Sequence, residues 1–180
     1  MRRRLALLVP LLLTIVLSTP AAAQMNVRLG GFLGIANDTE EDWLIFGAEG
    51  RLRTNTMQYD IQPRFHYQSF TGGSSMQLDG NILFNFRSLL SQVQPYMGVG
   101  LAFNRLSIDV DVPGEDDLDE TNIGANLVSG LVLGTNPKWR PYAQFEYTFI
   151  NDFPNGATLS LGILFQLNGR FASSARANHR

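Results

Sequence analysis

The feature that most constrains this chain is an alternation of apolar and polar residues with a period of two, which recurs along most of its length. Near the C-terminus, every odd position from Ala157 to Leu167 is apolar, and the even positions between them are mostly small or polar. A second run, from Trp139 to Phe149, repeats the pattern. Successive side chains of a β-strand point to opposite faces, so this period predicts strands with one apolar and one polar face.

Six earlier segments carry the same pattern, some less regularly, and no helical period competes with it. The phase slips near Asn104–Leu106, which predicts a β-bulge there. Eight strands are therefore predicted, over residues 26–35, 43–53, 57–68, 76–86, 93–110, 121–135, 139–149 and 157–168.

The predicted connectors alternate in length. Those after the first, third, fifth and seventh strands are mostly longer and rich in Asp, Glu, Gly and Asn: 36–42, 71–74, 111–120 and 150–156. The other three are shorter on the whole: 54–56, 87–92 and 136–138. This alternation predicts an all-β fold, an eight-stranded antiparallel up-and-down barrel whose two ends face different compartments.

The first 23 residues differ from the rest and are predicted to be a secretory signal peptide. Three arginines precede an apolar stretch from Leu5 to Leu17, and small residues ending at Ala23 supply a cleavage site. The stretch is shorter than the roughly 20 residues that a membrane-spanning helix needs. We expect one barrel domain over 24–171 and a short polar tail over 172–180.

Composition excludes several classes of function. Removal of 1–23 takes three of the 14 basic residues and leaves 11 against 16 acidic ones, so nucleic acid is not expected as a partner. The absence of cysteine excludes disulfides, thiolate nucleophiles and cysteine metal sites. Lys138 is the only lysine. A water-facing exterior is usually rich in lysine, so its scarcity indicates that the strands have no such exterior.

The polar faces carry Arg, Asn, Gln, Asp and Glu, which suits a crowded interior where each group finds a partner. In a narrow eight-stranded barrel, these charges predict a salt-bridged plug. The predicted lumen residues are Arg28, Arg51, Arg53, Arg64, Arg87 and Arg140, with Glu49, Asp60, Asp79 and Glu146 as their partners.

The apolar faces are then predicted to contact lipid. Aromatic residues near strand ends match the girdles at membrane interfaces: Trp43, Tyr59, Tyr67, Phe86, Tyr96, Trp139, Tyr147 and Phe149. Glycine pairs such as Gly30-Gly31, and Gly98 with Gly100, precede no helix and are not phosphate loops. We expect them to let bulky interior side chains pass one another.

Taken together, the chain resembles the small outer-membrane β-barrels of bacteria, such as the OmpA transmembrane domain and the opacity-protein and OmpX-like barrels. Ser160, Gly162, Phe165 and Leu167 fit the C-terminal strand signal by which the barrel-assembly machinery recognises such proteins. The resemblance implies an outer-membrane location, with membrane lipid and that machinery as partners. It implies no cofactor, and we expect a monomer.

Two sets of residues are candidates for chemistry. His66, followed by Ser69, is the only realistic general base, but its position predicts an interior residue, so no catalytic residue is assigned. Oxygen-rich clusters can bind Ca²⁺ or Mg²⁺, yet the acidic segment lacks EF-hand spacing and is interpreted as a solvated loop rather than a metal site. Its acidic residues are Asp109, Asp111, Glu115, Asp116, Asp117, Asp119 and Glu120.

The sequence thus predicts a membrane barrel with a polar, plugged lumen that acts as a structural or surface-interaction protein and not as an enzyme. A small pore or a lipid-modifying barrel enzyme is the first alternative. A soluble periplasmic binder of the lipocalin type, with its apolar face inward, is the second.

Overall fold

Alternating residue types build strands throughout the described part of the computed structural model, which covers 25–38, 41–54, 59–70, 73–86, 88, 90, 92–108, 118–150 and 156–167. The predicted signal peptide, Arg87 and the tail lie outside these residues. Within them, no helix is long and apolar enough to cross a membrane.

Eight antiparallel strands pair in sequence order, and β8 pairs with β1, so the sheet closes into a barrel. The predicted all-β, up-and-down transmembrane barrel is confirmed. Closure leaves no unpaired strand edge, which is what allows a β-sheet to lie in hydrocarbon. The strands are β1 Met25–Asp38, β2 Glu41–Thr54, β3 Tyr59–Phe70, β4 Gly73–Asn85, β5 Val93–Ile108, β6 Leu118–Leu133, β7 Trp139–Ile150 and β8 Gly156–Leu167.

The register of the eight ladders sets the width of the barrel. Following cross-strand partners once around from Val27 leads back to β1 at Asn37, ten residues further on. Eight strands with that stagger tilt by about 40° and form a cylinder with a backbone radius of roughly 8 Å. Such an interior has room for side chains and little else. The steps are Val27, Leu52, Ile61, Ile82, Val99, Leu127, Tyr147, Ala157 and Asn37.

The barrel is apolar outside and polar inside. Thirty large hydrophobic side chains of the described residues are exposed, whereas nine hydrophobic residues are buried, and the buried polar and charged residues outnumber those nine. Leu161 on β8 is 66% exposed, while its neighbour Ser160 is fully buried. A lipocalin-type binder needs the opposite arrangement, so that alternative is wrong.

Strand β1 begins and β8 ends at one end of the barrel, called here the terminal end. At the opposite, distal end, the strand ends are separated in sequence by residues 39–40, 71–72, 109–117 and 151–155. The predicted alternation of connector lengths is wrong, because β1 ends at Asp38 and β2 begins at Glu41, and β3 and β4 are separated by only two residues. Backbone pairing continues past the apolar stretches. Strand ends in water need hydrogen bonds but no apolar side chains.

The predicted β-bulge near Asn104 is also wrong. β5 pairs with β4 and β6 without a break in register through Asn104, Arg105 and Leu106. What changes there is the residue type on each face, since Arg105 is exposed and Leu106 is half-buried. The ladder that does lose pairs is β2–β3, beside Pro63, which has no N–H to donate.

Most of the predicted girdle residues face outward, but two do not. Tyr96 is 1% exposed and lies inside the barrel, because the inward positions of β5 are the even ones. Trp43 shares the inward register of β2 and lines a cavity at the distal end. Exposed aromatic residues do cluster near both ends, as in the outward pairs Phe46 with Tyr67, at 5.5 Å, and Tyr59 with Phe84, at 6.2 Å.

Candidate functional site

Large rings fit inside the narrow barrel because glycines face them from neighbouring strands. A Cβ added to Gly130 would lie 2.4 Å from the Tyr96 ring, and one added to Gly162 would lie 2.5 Å from the Tyr142 ring. A Cβ added to Gly100 would likewise lie 1.9 Å from Asn81 Oδ1. These glycines let bulky interior groups cross the lumen. Of the glycines predicted to do so, Gly30, Gly98 and Gly100 face inward, whereas the prediction is wrong for Gly31, which faces outward with only the Gly47 carbonyl oxygen, 3.7 Å away, near an added Cβ.

A hydrogen-bonded layer that we call the central layer crosses the middle of the lumen and consists of Glu49, Arg51, Gln62, Tyr96 and Gln144. Arg51 Nε donates to Glu49 Oε1 at 2.8 Å, and Arg51 Nη2 donates to the Tyr96 hydroxyl at 2.9 Å. Gln62 Nε2 donates to Glu49 Oε2 at 2.9 Å and to Gln144 Oε1 at 3.0 Å. The Gln62–Gln144 bond joins β3 to β7 on the opposite wall, so the layer spans the full width of the barrel.

The guanidinium of Arg51 is also held by aromatic faces. Its Cζ atom lies 4.4 Å from the centre of the Tyr96 ring and 5.0 Å from that of the Tyr142 ring. Arg51 and Glu49 have side chains only 2% and 0% exposed. A buried ion pair tolerates desolvation only when its remaining donors and acceptors are satisfied, and here rings and amides supply those contacts.

A second group of hydrogen bonds, less buried than the central layer, lies nearer the terminal end. Arg53 forms a two-pronged ion pair with Asp60, whose Oδ2 also accepts from Asn85 Nδ2 at 3.1 Å. Gln94 donates to Asn85 at 3.2 Å and accepts from Arg140 Nη1 at 3.1 Å. Arg28 Nε donates to Gln166 Oε1 at 3.0 Å on the adjacent strand.

On the distal side of the central layer, Arg64 reaches across the lumen. Its Nη1 donates to Glu146 Oε2 at 3.2 Å and its Nη2 to the Ser160 hydroxyl at 2.9 Å. The Arg64 guanidinium also stacks over the Phe32 ring, with Cζ 3.9 Å from its centre. Gln144 Nε2 donates to the same Glu146 oxygen at 3.2 Å, which links this group to the central layer.

Next to Arg64, His66 lies 3.6 Å from Asp79, measured from Nε2 to Oδ2. The other Asp79 oxygen accepts from Gln77 Nε2 at 2.8 Å and from Asn126 Nδ2 at 3.0 Å. Unlike the central layer, this group is incomplete. Both ring nitrogens of His66 and Oδ2 of Asp79 are buried without a hydrogen-bond partner.

Two cavities enter the barrel from opposite ends. The distal cavity has a volume of about 270 Å³, with His66, Gln77, Thr148 and Thr158 among its lining residues. The terminal cavity, about 550 Å³, is lined by Arg28, Gln94 and Arg140 among others. The hydrogen-bonded groups lie between them.

The structure places most of the sequence-predicted lumen residues inside the barrel. Arg87 lies outside the described residues. Among the residues that complete the network, the amides and Tyr142 had no predicted role and Tyr96 was predicted to lie at the membrane interface, although an inward strand position shared with a predicted lumen residue was a usable signal. Those inside are Arg28, Glu49, Arg51, Arg53, Asp60, Arg64, Asp79, Arg140 and Glu146; those missed are Gln62, Gln77, Asn81, Tyr96, Asn126, Tyr142 and Gln144.

The proposed assembly signal lies on β8. Ser160 and Gly162 point inward, whereas Phe165 and Leu167 are exposed outward. Their recognition by the assembly machinery stays a prediction. Of the acidic segment, the structure describes the backbone of Asp119 and the strand residue Glu120, and the other acidic residues lie outside the described part.

The candidate general base does not share a face with its candidate partner. His66 is 8% exposed inside the lumen, while Ser69, three residues later, has the outward register of β3 and is exposed. An odd separation along a strand puts two side chains on opposite sides of the sheet. The pair therefore does not form a nucleophile–base unit.

No protein-family model matches the sequence, and no curated protein does. Solved structures do match. The chain is similar to Neisserial surface protein A, with a TM-score of 0.63 at 18% identity, over 80% of this chain and 97% of that one. It is also similar to the N-terminal barrel of Pseudomonas aeruginosa OprF, with a TM-score of 0.59 at 15% identity, over 79% and 97%. For Ail, the attachment invasion locus protein of Yersinia pestis, the values are 0.57 and 14%, over 79% and 97%.

Proposed function

We propose that this chain, which has the fold of the small outer-membrane β-barrels, resides in the outer membrane and acts there as a structural or surface-interaction protein with a plugged lumen. The observation that carries the proposal is the hydrogen-bonded network across the lumen. A protein without an open channel offers its partners mainly its lipid-facing wall and its two ends.

Several contacts support a closed lumen. Gln62 and Arg64 on β3 reach Gln144 and Glu146 on the opposite strand β7 at 3.0 and 3.2 Å. Fully buried side chains, among them Leu83, fill the space around these bonds. An ion crossing the centre would have to break several charge-assisted hydrogen bonds at once, each worth about 1.5–3 kcal/mol.

Surface interaction is proposed for the distal end. That end carries the longest gap between consecutive strands, residues 109–117, and the acidic segment falls there. Loops on a rigid scaffold are where binding specificity usually resides. Two of the proteins with the same fold are named for the surface or for attachment, which fits this proposal without identifying a partner.

Conductance measurements on the refolded barrel test whether the lumen is closed. We expect the refolded wild-type barrel to give no steady conductance in a planar bilayer. The triple variant Gln62→Ala, Arg64→Ala, Glu146→Ala removes the bonds between β3 and β7 and should conduct, which shows that the protein inserted and that the assay detects an open lumen. Steady current through the wild type would overturn the plug and favour the pore alternative.

A second experiment tests the membrane location. Leu161 is 66% exposed on the outer wall, and an arginine on a lipid-facing position near the midplane costs about 2–4 kcal/mol. We expect Leu161→Arg to reduce the amount of heat-modifiable, folded barrel in the outer-membrane fraction, while the apolar control Leu161→Ala assembles normally. Equal recovery of both variants from the soluble periplasm would refute the proposal.

A further inference from the structure

Three potential metal ligands from β3, β4 and β7 lie beside one another in the lumen, and one of them, His66, lines the distal cavity. His66, Asp79 and Glu146 each offer a donor atom, and these atoms lie within 4.8 Å of one another. The His66 Nε2 and Asp79 Oδ2 atoms are 3.6 Å apart, close to the roughly 3.4 Å between two ligands of one tetrahedral zinc ion. The donor atoms are up to 4.8 Å apart, so the Glu146 side chain would have to move toward the other two to complete the set. The three residues are 8%, 3% and 1% exposed.

Each of the three residues has a buried atom that no hydrogen bond satisfies. These atoms are Nδ1 and Nε2 of His66, Oδ2 of Asp79 and Oε1 of Glu146. A buried polar atom without a partner costs about 1–3 kcal/mol, and more if it is charged. Four of the eight buried side-chain atoms without a partner among the described residues belong to these three neighbouring side chains, and a bound ion is one way to satisfy all of them together.

The other oxygen of each carboxylate is held in place. Asp79 Oδ1 accepts hydrogen bonds from Gln77 and Asn126, at 2.8 and 3.0 Å. Glu146 Oε2 accepts from Arg64 and from Gln144, both at 3.2 Å. Metal sites commonly use such outer contacts to orient their ligands, which leaves the second oxygen for the ion.

The balance of charge favours a cation. Two carboxylates, Asp79 and Glu146, face one guanidinium, that of Arg64, so the group carries one excess negative charge when both carboxylates are ionised and His66 is neutral. Among the described residues, His66 is the only basic group within 4.0 Å of Asp79. An uncompensated charge in a protein interior is costly, and a bound cation would compensate it.

The distal cavity leads to one of the three residues. His66 is a lining residue of the 270 Å³ distal cavity, together with Gln77 and Thr148. A hydrated ion fits a space of this size, since a water molecule occupies about 30 Å³ in the liquid.

From these observations we propose that His66, Asp79 and Glu146 bind a divalent transition-metal cation, with Zn²⁺ as the ion that fits best. One imidazole and two carboxylates form a nitrogen–oxygen ligand set that zinc accepts. Ca²⁺ and Mg²⁺ prefer six or more oxygen ligands and are expected to bind more weakly. Neither the closed lumen nor any surface partner is needed for this site.

The test uses the refolded full-length chain in detergent, freed of metal with a chelator and titrated with Zn²⁺ against a chromophoric competitor. We expect one zinc ion per barrel. His66→Gln, Asp79→Asn and Glu146→Gln should each weaken binding by about tenfold or more, because each removes one of three ligands. Co²⁺ in place of Zn²⁺ should give visible absorption bands of a four- or five-coordinate ion in the wild type only.

A control variant separates this site from other zinc-binding groups. His179→Gln in the tail should leave zinc affinity within about twofold of the wild type. Zinc should also raise the unfolding temperature of the wild type but not that of Asp79→Asn, since only a ligand bound to the folded state stabilises it. The proposal is overturned if the folded wild type binds no zinc, or if the Asp79→Asn and His66→Gln variants bind it as tightly as the wild type.

Discussion

The central layer and the distal group of His66, Asp79 and Glu146 are neighbours in one lumen, yet their charges are handled differently. Glu49 is paired with Arg51 at 2.8 Å, and its second oxygen accepts from Gln62 at 2.9 Å. Among the described residues, His66, at 3.6 Å, is the only basic group within 4.0 Å of Asp79, and the Asp79 Oδ2 atom accepts no hydrogen bond. Both carboxylates are nearly inaccessible, at 4% and 3% exposure.

This difference separates two uses of a buried charge. In the central layer the ion pair is complete within the chain, so its value is structural and is lost when either partner is removed. In the distal group the chain leaves atoms unsatisfied next to a cavity, as sites that take a ligand commonly do. Substitutions on the two sides should therefore affect stability unequally, and in one case in opposite directions.

The largest effect is expected from breaking the central pair. Arg51→Met removes the guanidinium and leaves Glu49 charged and buried, which should lower the free energy of unfolding by about 3–5 kcal/mol. Urea unfolding of the barrel in lipid vesicles measures this change. The double variant Arg51→Met, Glu49→Leu should recover most of the loss, and a single variant no worse than the double would contradict the role given to the pair.

A smaller effect is expected from crowding the ring that supports the pair. Gly130→Ala places a Cβ 2.4 Å from the Tyr96 ring, and overpacking of this kind costs about 1–3 kcal/mol. Gly80 faces outward with no atom within 4 Å of an added Cβ, so Gly80→Ala is the matched control and should be neutral within about 0.5 kcal/mol. Equal unfolding midpoints for the two variants would show that the ring does not constrain position 130.

The smallest effect, and a reversed sign, is expected in the distal group. Asp79→Asn removes an uncompensated charge, so without metal the variant should be as stable as the wild type or up to about 1 kcal/mol more stable. Glu49→Gln is the same chemical change in the central layer. It leaves the buried charge of Arg51 without its carboxylate partner and should therefore destabilise the barrel. If both variants lose stability equally in the same vesicle assay, the charge of Asp79 is compensated within the chain as fully as that of Glu49.

Much of the fold was readable from residue order. The period of two on β3 and β7 indicated which side chains lie inside, and Arg64 and Glu146 could be assigned to the lumen from that pattern. The predictions were wrong where residue type and strand position indicated different faces. Tyr96 was assigned to the membrane interface because tyrosine is common there, but its even position on β5 turned it inward.

The prediction of connector lengths was wrong for a related reason. Apolar content marks the part of a strand that lies in hydrocarbon, whereas hydrogen-bonded pairing continues beyond it, so β1 and β2 extend to Asp38 and Glu41. The irregularity at Asn104–Leu106 was likewise a change of residue type within an unbroken ladder. The hydrophobic pattern therefore predicts which part of a strand faces lipid better than it predicts the residues at which the strand begins and ends.

The sequence by itself determined that two faces exist and which residues occupy each, because side chains alternate strictly along a strand. Only the tertiary structure decided which inward residues meet. That depends on closure of β8 onto β1 and on the ten-residue stagger, which bring β3 opposite β7 and join Gln62 to Gln144 and Arg64 to Glu146 across the lumen. The same closure brings His66, Asp79 and Glu146 within reach of one ion, although they are separated by up to 80 positions in the chain.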